Sequence, residues 1–414
     1  MKKLTIIITV FCFFIYSING LSQWVNIPSP VSGNLILFDM SFPENQNDVG
    51  FTGGSNYTYN GKGKVLKTQD NGLTWTEVYS STVSGTGIMS LHFTSVSNGF
   101  AGMMNGDLIT TNDGGANWTS TDIDPASNQG EIDALDFFDS QIGILNTSTR
   151  SIYNTIDGGV SWTRTQTPIP DVLDVTFATA DSVFAVGKRQ EIYRSVNGGK
   201  NWTKIYSTNK LDNYNMGVDF LDAMNGIVTS EYGEAFITTD GGSNWNVTQI
   251  GQADLLKDPL MKSTTQISVA CSPGVVFTTY DGGLSWSDDT TSYNLNRSYN
   301  KIERTPNGTE IVCGSGPDGG TVIRKPGSSV SVKEMGIANF ELYPNPAIDY
   351  LTIELGSRNK STVVEVYDIR GNKMKKLKLT KLSTILSISE LSSGLYLMIV
   401  KDDEGVNFKH FVKH

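Results

Sequence analysis

The sequence predicts an all-β protein: a seven-bladed β-propeller closed by its N-terminal strand, followed by a small C-terminal β-sandwich. Three observations lead to this prediction. An eight-residue motif recurs six times at a nearly constant interval, which is typical of repeat architectures. Short apolar runs and 42 glycines fill the intervals, as expected for many short strands and turns. After residue 327 the repeat stops and the charge balance changes, which marks a domain boundary.

Residues 1–22 have the pattern of a secretory signal peptide. Two lysines precede the apolar run 4–16, and Gly20 and Ser22 offer cleavage sites. A single membrane anchor is the alternative, but the apolar run is short for a bilayer crossing. Cys12 lies inside the run and is followed by phenylalanine, which argues against lipoprotein processing. We therefore expect the mature chain to be exported.

The repeated motif reads Thr-x-Asp-Gly-Gly-x-x-Trp, as in Thr279–Trp286. Asp-Gly-Gly between apolar runs predicts a tight hairpin turn, because glycine adopts positive φ without steric cost. We expect the carboxylate to accept bonds from N–H groups two or three residues on, and the preceding hydroxyl to donate to it. The tryptophan should bury its ring against its own sheet. The turn residues are Asp70, Asp113, Asp157, Asn197, Asp240 and Asp281, and the tryptophans are Trp75, Trp118, Trp162, Trp202, Trp245 and Trp286. Asn197 keeps an acceptor but lacks the charge.

Six copies in register resemble the Asp-box, also called the bacterial neuraminidase repeat. In that family the box joins the third and fourth strands of a propeller blade at its periphery, away from any active site. Residues 24–327 also resemble the photosystem II assembly and stability factors and the sortilin-like propellers. This resemblance implies a scaffold-like propeller and names no ligand.

Four strands fit each interval of the repeat. The motif tryptophans are 43, 44, 40, 43 and 41 residues apart. In the first of these intervals, 88–93 and 99–103 read as the first two strands and 107–111 as the strand that enters the motif. The fourth strand leaves the motif through its tryptophan, as in 202–206. Four antiparallel strands per interval form a propeller blade.

The two ends of the repeat region give the blade count. Residues 24–27 look like a fourth strand without a motif before it, and 302–325 look like three strands whose motif has decayed. Position 325 lies 301 residues after Trp24, which is seven periods of 43. We therefore predict seven blades, with the N-terminal strand completing the last one so that no sheet edge stays open.

The end of the repeat and the change in charge divide the chain into a propeller at 23–327, a linker at 328–338 and a tail at 339–414. Residues 23–327 carry 18 Lys and Arg against 32 Asp and Glu, a net charge of −14. Residues 328–414 carry 12 against 10, a net charge of +2. An acidic propeller is a poor match for nucleic acid. Cys271 and Cys313 fall at equivalent positions of consecutive repeats, so we expect two buried thiols rather than a disulfide.

The tail consists of alternating apolar segments between glycine turns, which predicts a small β-sandwich. Its landmarks resemble the type A C-terminal sorting domain of Bacteroidetes type IX secretion substrates. The residues that carry the resemblance are Tyr343, Pro344, Asn345, Pro346, Gly394 and Tyr396. The resemblance implies passage through the outer membrane by the type IX machinery, usually followed by removal of the tail. Attachment to the outer-membrane surface and release are both compatible with it, and an ordinary accessory sandwich is the alternative.

The motifs favour no catalytic site. Sialidases clamp a carboxylate with three arginines and use a tyrosine nucleophile. The propeller has seven arginines, and none lies in the Arg-Ile-Pro context that sialidases carry. Paired-carboxylate hydrolases, such as Asp-box xyloglucanases, stay open because acids are plentiful. The only histidines, His92, His410 and His414, lack metal-ligand spacing, so we expect no metal and no cofactor.

One column of polar residues is the candidate binding site. The first strands of five repeats end in phenylalanine, and the residue before it is polar in every case. Because the first strand of a blade is innermost, this column could form a ring that holds a cation or a sugar in the central channel. Alternatively, the side chains cap neighbouring strands and bind water. The column consists of Ser41, His92, Asp136, Thr176 and Asp219.

These observations favour a monomeric, non-catalytic propeller, secreted or held at the cell surface, that binds a glycan or protein ligand. A secreted glycoside hydrolase of the sialidase or xyloglucanase kind is the alternative.

Overall fold

The computed structural model describes residues 23–28, 35–44, 46, 48–56, 61–123, 130–166, 168–169, 171–208, 210–251, 255–290, 296–317, 319–327, 340–355, 362–368, 373–379, 381–402 and 405–414. These residues form β-strands and contain no helix, which confirms the all-β class. It follows that none of them belongs to a helix able to span a membrane. The chain divides into two compact units, Met1–Ser328 and Ser329–His414. The expected signal peptide and linker lie outside the described residues.

Seven four-stranded antiparallel sheets make up the first unit. Sheet 1 contains β2 (Leu35–Ser41), β3 (Gly50–Asn56), β4 (Gly63–Thr68) and β5 (Thr76–Ser80), and sheet 2 contains β6 (Ile88–Phe93), β7 (Gly99–Met103), β8 (Asp107–Thr111) and β9 (Thr119–Asp122). Sheet 3 contains β10 (Ile132–Phe137), β11 (Gly143–Thr147), β12 (Ser151–Thr155) and β13 (Thr163–Gln166), and sheet 4 contains β14 (Val172–Phe177), β15 (Val183–Gly187), β16 (Glu191–Ser195) and β17 (Thr203–Ser207). Sheet 5 contains β18 (Asn215–Phe220), β19 (Gly226–Ser230), β20 (Glu234–Thr238) and β21 (Asn246–Gln249), and sheet 6 contains β22 (Leu255–Met261), β23 (Ile267–Ser272), β24 (Val275–Thr279) and β25 (Ser287–Asp288). Sheet 7 contains β26 (Ser298–Arg304), β27 (Glu310–Gly316) and β28 (Gly319–Lys325), with the N-terminal β1 (Val25–Ile27) paired to β28.

The seven sheets form a closed ring around a central channel. The first strand of each sheet packs against the first strand of the next, and β26 of the last sheet packs against β2 of the first. The junction between the last and first sheets carries a hydrogen bond from Asn300 Nδ2 to the Leu37 carbonyl oxygen (2.8 Å). Apolar clusters fill the spaces between neighbouring sheets, as in the cluster that joins Phe51 of sheet 1 to Phe93 of sheet 2.

All seven first strands carry a β-bulge at the same position, and its extra residue lines the channel. A bulge leaves one residue without a partner and increases the local twist. In five of the sheets the extra residue and the residue directly after it both line the channel, as Lys257 and Asp258 do. The extra residues are Phe38, Met89, Asp133, Leu173, Met216, Lys257 and Asn300.

The six motif turns share one hydrogen-bond pattern. The hydroxyl of the first motif residue donates to the Asp or Asn side chain (2.7–2.9 Å) and accepts the N–H of the fifth residue (2.9–3.0 Å). The same side-chain oxygen accepts an N–H from four residues on (2.8–2.9 Å). The expected donor two residues on is wrong, because the hydroxyl binds that N–H, whereas the N–H three residues on does bond the carboxylate in four of the turns. Asn197 keeps this pattern through its one carbonyl oxygen.

The motif tryptophans pack against two sheets rather than one. Trp118 meets Phe93 of its own sheet edge-on (centroids 6.0 Å apart) and Tyr79 of the preceding sheet (5.9 Å). Trp245 makes the equivalent contacts with Phe220 and Tyr206. The prediction that each ring lies against its own sheet was therefore incomplete, since the rings also join consecutive sheets.

The N-terminal strand is anchored by Trp24. Its ring is buried in the apolar cluster of sheets 6 and 7, and its Nε1 donates to Asp289 Oδ2 (3.3 Å). Lys325, in the strand that pairs with β1, forms an ion pair with Asp289 and lies 5.9 Å above the indole. Cys271 and Cys313 are buried free thiols, as predicted.

The second unit consists of two sheets on one apolar core. The three-stranded sheet has the order β29 (Phe340–Tyr343), β30 (Tyr350–Leu355), β33 (Ser383–Ser387). The four-stranded sheet has the order β32 (Lys373–Lys378), β31 (Val363–Asp368), β34 (Gly394–Asp402), β35 (Gly405–Lys413).

Two of the sorting-motif residues, Asn345 and Tyr396, contact the last strand of the tail, β35. Asn345 lies in a segment in which both X-Pro bonds, Tyr343–Pro344 and Asn345–Pro346, are cis, and its Oδ1 accepts the N–H of Val412 (3.0 Å). Gly394 begins β34, and Tyr396 stacks on Phe411 (centroids 5.5 Å apart). The Tyr396 hydroxyl donates to the Ser392 carbonyl (2.8 Å).

Candidate functional site

The central channel encloses a cavity of about 550 Å³, and all five residues of the predicted polar column line it. Strand register adds two members to this column, Leu260 and Glu303, which occupy the same position in β22 and β26. Sequence alignment missed them because their strands end in Met261 and Arg304 rather than phenylalanine. We call the column the mouth ring. It consists of Ser41, His92, Asp136, Thr176, Asp219, Leu260 and Glu303.

Three members of the mouth ring bond the backbone of the next sheet. Asp136 Oδ2 accepts the Phe177 N–H (3.0 Å), and Asp219 Oδ2 accepts the Met261 N–H (2.6 Å). Ser41 Oγ accepts the Phe93 N–H (3.0 Å). These contacts are those expected if the side chains cap neighbouring strands.

The other two predicted members contact Asp136 instead. His92 Nδ1 lies 3.4 Å from Asp136 Oδ1. Thr176 Oγ1 donates to Asp136 Oδ2, also at 3.4 Å. Asp136 is therefore the point at which three of the five predicted side chains meet.

A second ring, two residues earlier in each first strand, escaped the sequence prediction. Here Asp39 Oδ2 accepts the Leu91 N–H (2.6 Å), and Asp174 Oδ2 accepts the Val218 N–H (2.8 Å). The signal in the sequence is an aspartate two positions before the mouth-ring residue. We call this set the inner ring. It consists of Asp39, Ser90, Ala134, Asp174, Gly217, Asp258 and Lys301.

Lys301 is the cation of the inner ring. Its Nζ lies 3.1 Å from Asp258 Oδ1, while Asp258 Oδ2 accepts the Ile302 N–H (2.9 Å). Burial alone would lower the pKa of the ammonium group, but the carboxylates of Asp258 and Asp39 among others raise it well above its usual value. The channel therefore already stabilises one ammonium ion.

Burial is the main cause of the raised pKa values of the channel acids. It raises the pKa of Asp174 to about 8, with the Asp258 carboxylate adding to the rise and Lys301 opposing it. It also raises the pKa of Asp219 to about 6 and that of Glu303 to about 8. At the bulge position, burial and the Glu131 carboxylate raise the pKa of Asp133 to about 7. These groups lose protons less readily than exposed carboxyls because little water reaches their charges.

The mouth of the channel opens at the end of the ring that carries the motif turns. There Glu44, Thr94 and the turn 138–140 extend the lining beyond the mouth ring. Asp139 folds this turn by accepting the N–H groups of Gln141 (2.7 Å) and Ile142 (2.8 Å). The mouth is therefore acidic, with His92 the one basic side chain among its described residues.

None of the seven arginines of the propeller, all of which lie in described segments, lines the channel. Arg194 Nη1 donates to the Gly241 carbonyl (3.1 Å), and Arg324 Nε donates to the Asn71 carbonyl (2.8 Å). Both join a third strand to the motif turn of the next sheet. A three-arginine carboxylate clamp is thus absent from the channel, and in the described residues no cluster of His, Cys, Asp or Glu is arranged to hold a metal ion.

Two segments of the chain match known protein families. Residues 341–414 match the secretion system C-terminal sorting domain, and residues 116–258 match the photosynthesis system II assembly factor YCF48. A search with the sequence finds no match among curated proteins. The chain therefore contains a propeller segment similar to YCF48 and a C-terminal segment similar to secretion sorting domains, and the second likeness supports export by type IX secretion to the cell surface or the medium.

Solved structures share the propeller fold at low sequence identity. YCF48 bound to D1 peptide is 19% identical, with a TM-score of 0.60 over 74% of this chain and 97% of that one. The WD40 propeller of Doa1 is 13% identical, with a TM-score of 0.58 over 74% and 98%. PorZ, a surface component of the type IX secretion system of Porphyromonas gingivalis, is 13% identical, with a TM-score of 0.53 over 91% of this chain and 59% of PorZ. At these identities the likeness concerns the fold alone, and it confirms the propeller architecture.

Proposed function

We propose that the chain is a non-catalytic binding protein. The type IX system would deliver it, by way of the periplasm, to the cell surface or the medium, and its propeller would hold a segment of another protein. The sorting domain at 341–414 supports the export step. The binding role rests on what the channel carboxylates already do.

Five channel aspartates are engaged in closing the ring. Each accepts a backbone N–H from the next sheet, at 2.6–3.0 Å. A carboxylate that holds a buried backbone group cannot leave it without an energetic cost of about 1–3 kcal/mol. Such groups are poorly placed to move protons for a reaction but well placed to keep a preformed cavity rigid. They are Asp39, Asp136, Asp174, Asp219 and Asp258.

A protein ligand is supported by analogy with YCF48, a propeller of the same fold whose structure contains a D1 peptide. The shape of the site agrees with this. A rigid, open-ended channel with acidic and aromatic walls can take a side chain from an extended segment laid across its mouth.

One observation favours the alternative, a glycoside hydrolase. Glu303 lines the cavity, and burial raises the pKa of its carboxyl to about 8, as in the general acids of glycosidases. Turnover of aryl glycosides by the purified chain, lost in Glu303→Gln, would establish the enzyme and overturn the binding proposal. We expect no turnover by either protein.

Cross-linking on intact producing cells tests the binding role directly. We expect a reproducible protein partner cross-linked to the propeller. A glycan array provides the second arm, and glycan binding without any protein partner would overturn the proposed ligand class. Export is tested separately, because removal of residues 339–414 should retain the propeller in the periplasm while a reporter fused to them should leave the cell.

A further inference from the structure

Six large apolar side chains are exposed at the mouth end of sheets 3, 4 and 5. The turn between the first two strands and the motif turn of a sheet lie at the same end. The N–H of the first motif glycine bonds a carbonyl of that turn, as Gly158 does with Gln141 (2.9 Å) and Gly241 with Met224 (2.8 Å). We call these side chains the apolar arc. It consists of Phe138, Ile156, Val160, Val196, Leu221 and Met224.

Hydrogen bonds link the motif turns that carry the arc from sheet to sheet. Asn154, two residues before Ile156, donates to the Gly199 carbonyl in the motif turn of sheet 4 (3.5 Å). Arg194, two residues before Val196, reaches the motif turn of sheet 5 at Gly241 (3.1 Å). At this end of the other four sheets, the described residues expose Val25, Leu73, Tyr280 and Leu284 as large apolar side chains, two of them on sheet 6. Six of these ten side chains therefore lie on sheets 3 to 5, and an exposed apolar patch of this kind is typical of an interaction surface.

The arc runs into the acidic mouth of the channel. Phe138 belongs to the arc and also lines the cavity, next to Asp139. Across the opening lie the carboxyl groups of Glu44, Asp219 and Glu303.

Further out, the motif turns of sheets 3 and 5 are anionic through Asp157 and Asp240, whereas the turn of sheet 4 carries Asn197 and Lys200. Hydrogen bonds from the Ser161 hydroxyl and N–H hold the pKa of Asp157 down to about 2. In the described part of these turns the exposed basic residue is Lys200. The acidic residues are Asp157 and, in the turns between the first two strands of sheets 4 and 5, Asp181 and Asp222. An apolar surface with an acidic border is complementary to a basic, apolar partner.

We propose that this end of the ring is the docking surface for a basic amphipathic segment of a partner protein. Its apolar side chains cover the apolar arc, and one lysine or arginine side chain enters the channel mouth. Lys301 shows that the channel walls stabilise an ammonium group at 3.1 Å from a carboxylate. The inference rests on the proposed protein-binding function and names the chemistry of its ligand.

The dimensions fit a short extended segment. The third and fourth strands lie about 10–15 Å from the first strand, at the usual spacing of about 4.8 Å between strands. An extended segment of about four residues covers that distance, at roughly 3.3 Å per residue. A twelve-residue probe is therefore long enough to contact the arc and the mouth together.

The test uses a fluorescein-labelled twelve-residue peptide of alternating leucine and lysine and a matched peptide with glutamate in place of lysine. Fluorescence anisotropy with the full exported chain should show binding of the lysine peptide alone, weakening as salt rises and screens the charges. Ile156→Ser with Val160→Ser should weaken binding at least fivefold. The matched control is Tyr280→Ser with Leu284→Ser, at the same motif positions of sheet 6, where Leu284 is 88% exposed and Val160 is 87% exposed. This pair should bind like the parent chain.

Glu44→Gln tests the mouth, because it removes a carboxylate there, and should also weaken binding at least fivefold. Thermal unfolding of every variant establishes that the fold is kept. Equal binding of the glutamate peptide, equal losses in the arc and control pairs, or no binding of the lysine peptide would overturn the docking surface. If cross-linking still finds a protein partner in that case, the binding function stands and only this surface is wrong.

Discussion

Replacing Trp24 by alanine tests how the ring closes, because β1 is a three-residue strand held by one large side chain. Trp24 is 9% exposed and packs in the cluster that contains Tyr299 and Ile323. Truncation of a buried aromatic residue costs about 3–5 kcal/mol, and we expect the lower end because β1 lies at a sheet edge. An unfolding entropy of about 2.1 cal/mol/K per residue over roughly 300 residues gives about 0.6 kcal/mol/K. The expected loss is therefore about 5 °C in Tm.

Differential scanning calorimetry of the full chain measures this loss, and Val25→Ala is the matched control in the same strand. Val25 is 53% exposed, so its truncation should change Tm by less than about 1 °C. Hydrogen exchange provides a second measurement, because loosening of β1 should deprotect the β28 amides that pair with it. An unchanged Tm and unchanged exchange in Trp24→Ala would refute the argument that β1 closes the ring.

Three further predictions follow from the hydrogen bonds and the pKa values. Thr279→Val leaves the buried Gly283 N–H without its acceptor, which should lower the free energy of unfolding, measured by chemical denaturation, by about 1–3 kcal/mol. The control Ser285→Ala removes an exposed hydrogen bond of the same turn and should cost less, and equal losses would contradict the role of the Thr279 hydroxyl. The free energy of unfolding should rise as pH falls from 8 toward 4. Asp174, Asp219 and Glu303 have pKa values of about 8, 6 and 8 in the folded chain, so in this pH range the folded chain binds more protons than the unfolded chain. Below pH 4 stability should fall again, because Asp157 and Asp281 have pKa values of about 2 and stay ionised in the folded chain; a Tm that falls steadily from pH 8 to 4 would contradict the channel assignment. Glu303→Gln should flatten the rise between pH 8 and 4 when Tm is measured across that range, and an unchanged slope would show that Glu303 does not titrate there.

The sequence predicted the sheets well because each repeat carries its own folding signals. The motif turn is local, and its hydroxyl, carboxylate and glycines lie within five residues of one another. The phenylalanine that ends a first strand and the motif tryptophan also recur together, and the structure brings them into edge-on contact, as in Phe137 and Trp162 (centroids 6.0 Å apart). Signals that repeat at one period fix strand order without any knowledge of distant contacts.

The sequence predicted the contact of each motif tryptophan with its own sheet, but not its contact with the preceding sheet. A sequence period shows which residues belong to one repeat, but not which face of a sheet meets its neighbour. The contact of Trp118 with Tyr79 of the preceding sheet depends on the stacking of sheets around the ring. Sequence separation between these two residues gives no sign of it.

The sequence pointed to the mouth ring but not to the inner ring, because the phenylalanine that ends most first strands marks only the residue beside it. Strand alternation places Asp39, Asp174 and Asp258, two residues earlier, on the same face, but this aspartate recurs in only three of the seven first strands. The bulge lies one residue before the inner ring, and its extra residue follows no chemical pattern from sheet to sheet.

The mouth ring links stability to binding. Asp136 and Asp219 hold neighbouring sheets together and also place negative charge at the channel mouth. Burial raises the pKa of Asp219, with the Asp258 carboxylate adding to the rise, and a bound ammonium or guanidinium group would favour the ionised form. A ligand that binds only the folded chain stabilises it by RT ln(1 + [L]/Kd), about 2.7 kcal/mol at one hundred times Kd. A cationic ligand of the channel should therefore stabilise the ring more at neutral pH, where more of Asp219 is ionised, than near pH 4, where its carboxyl is mostly protonated.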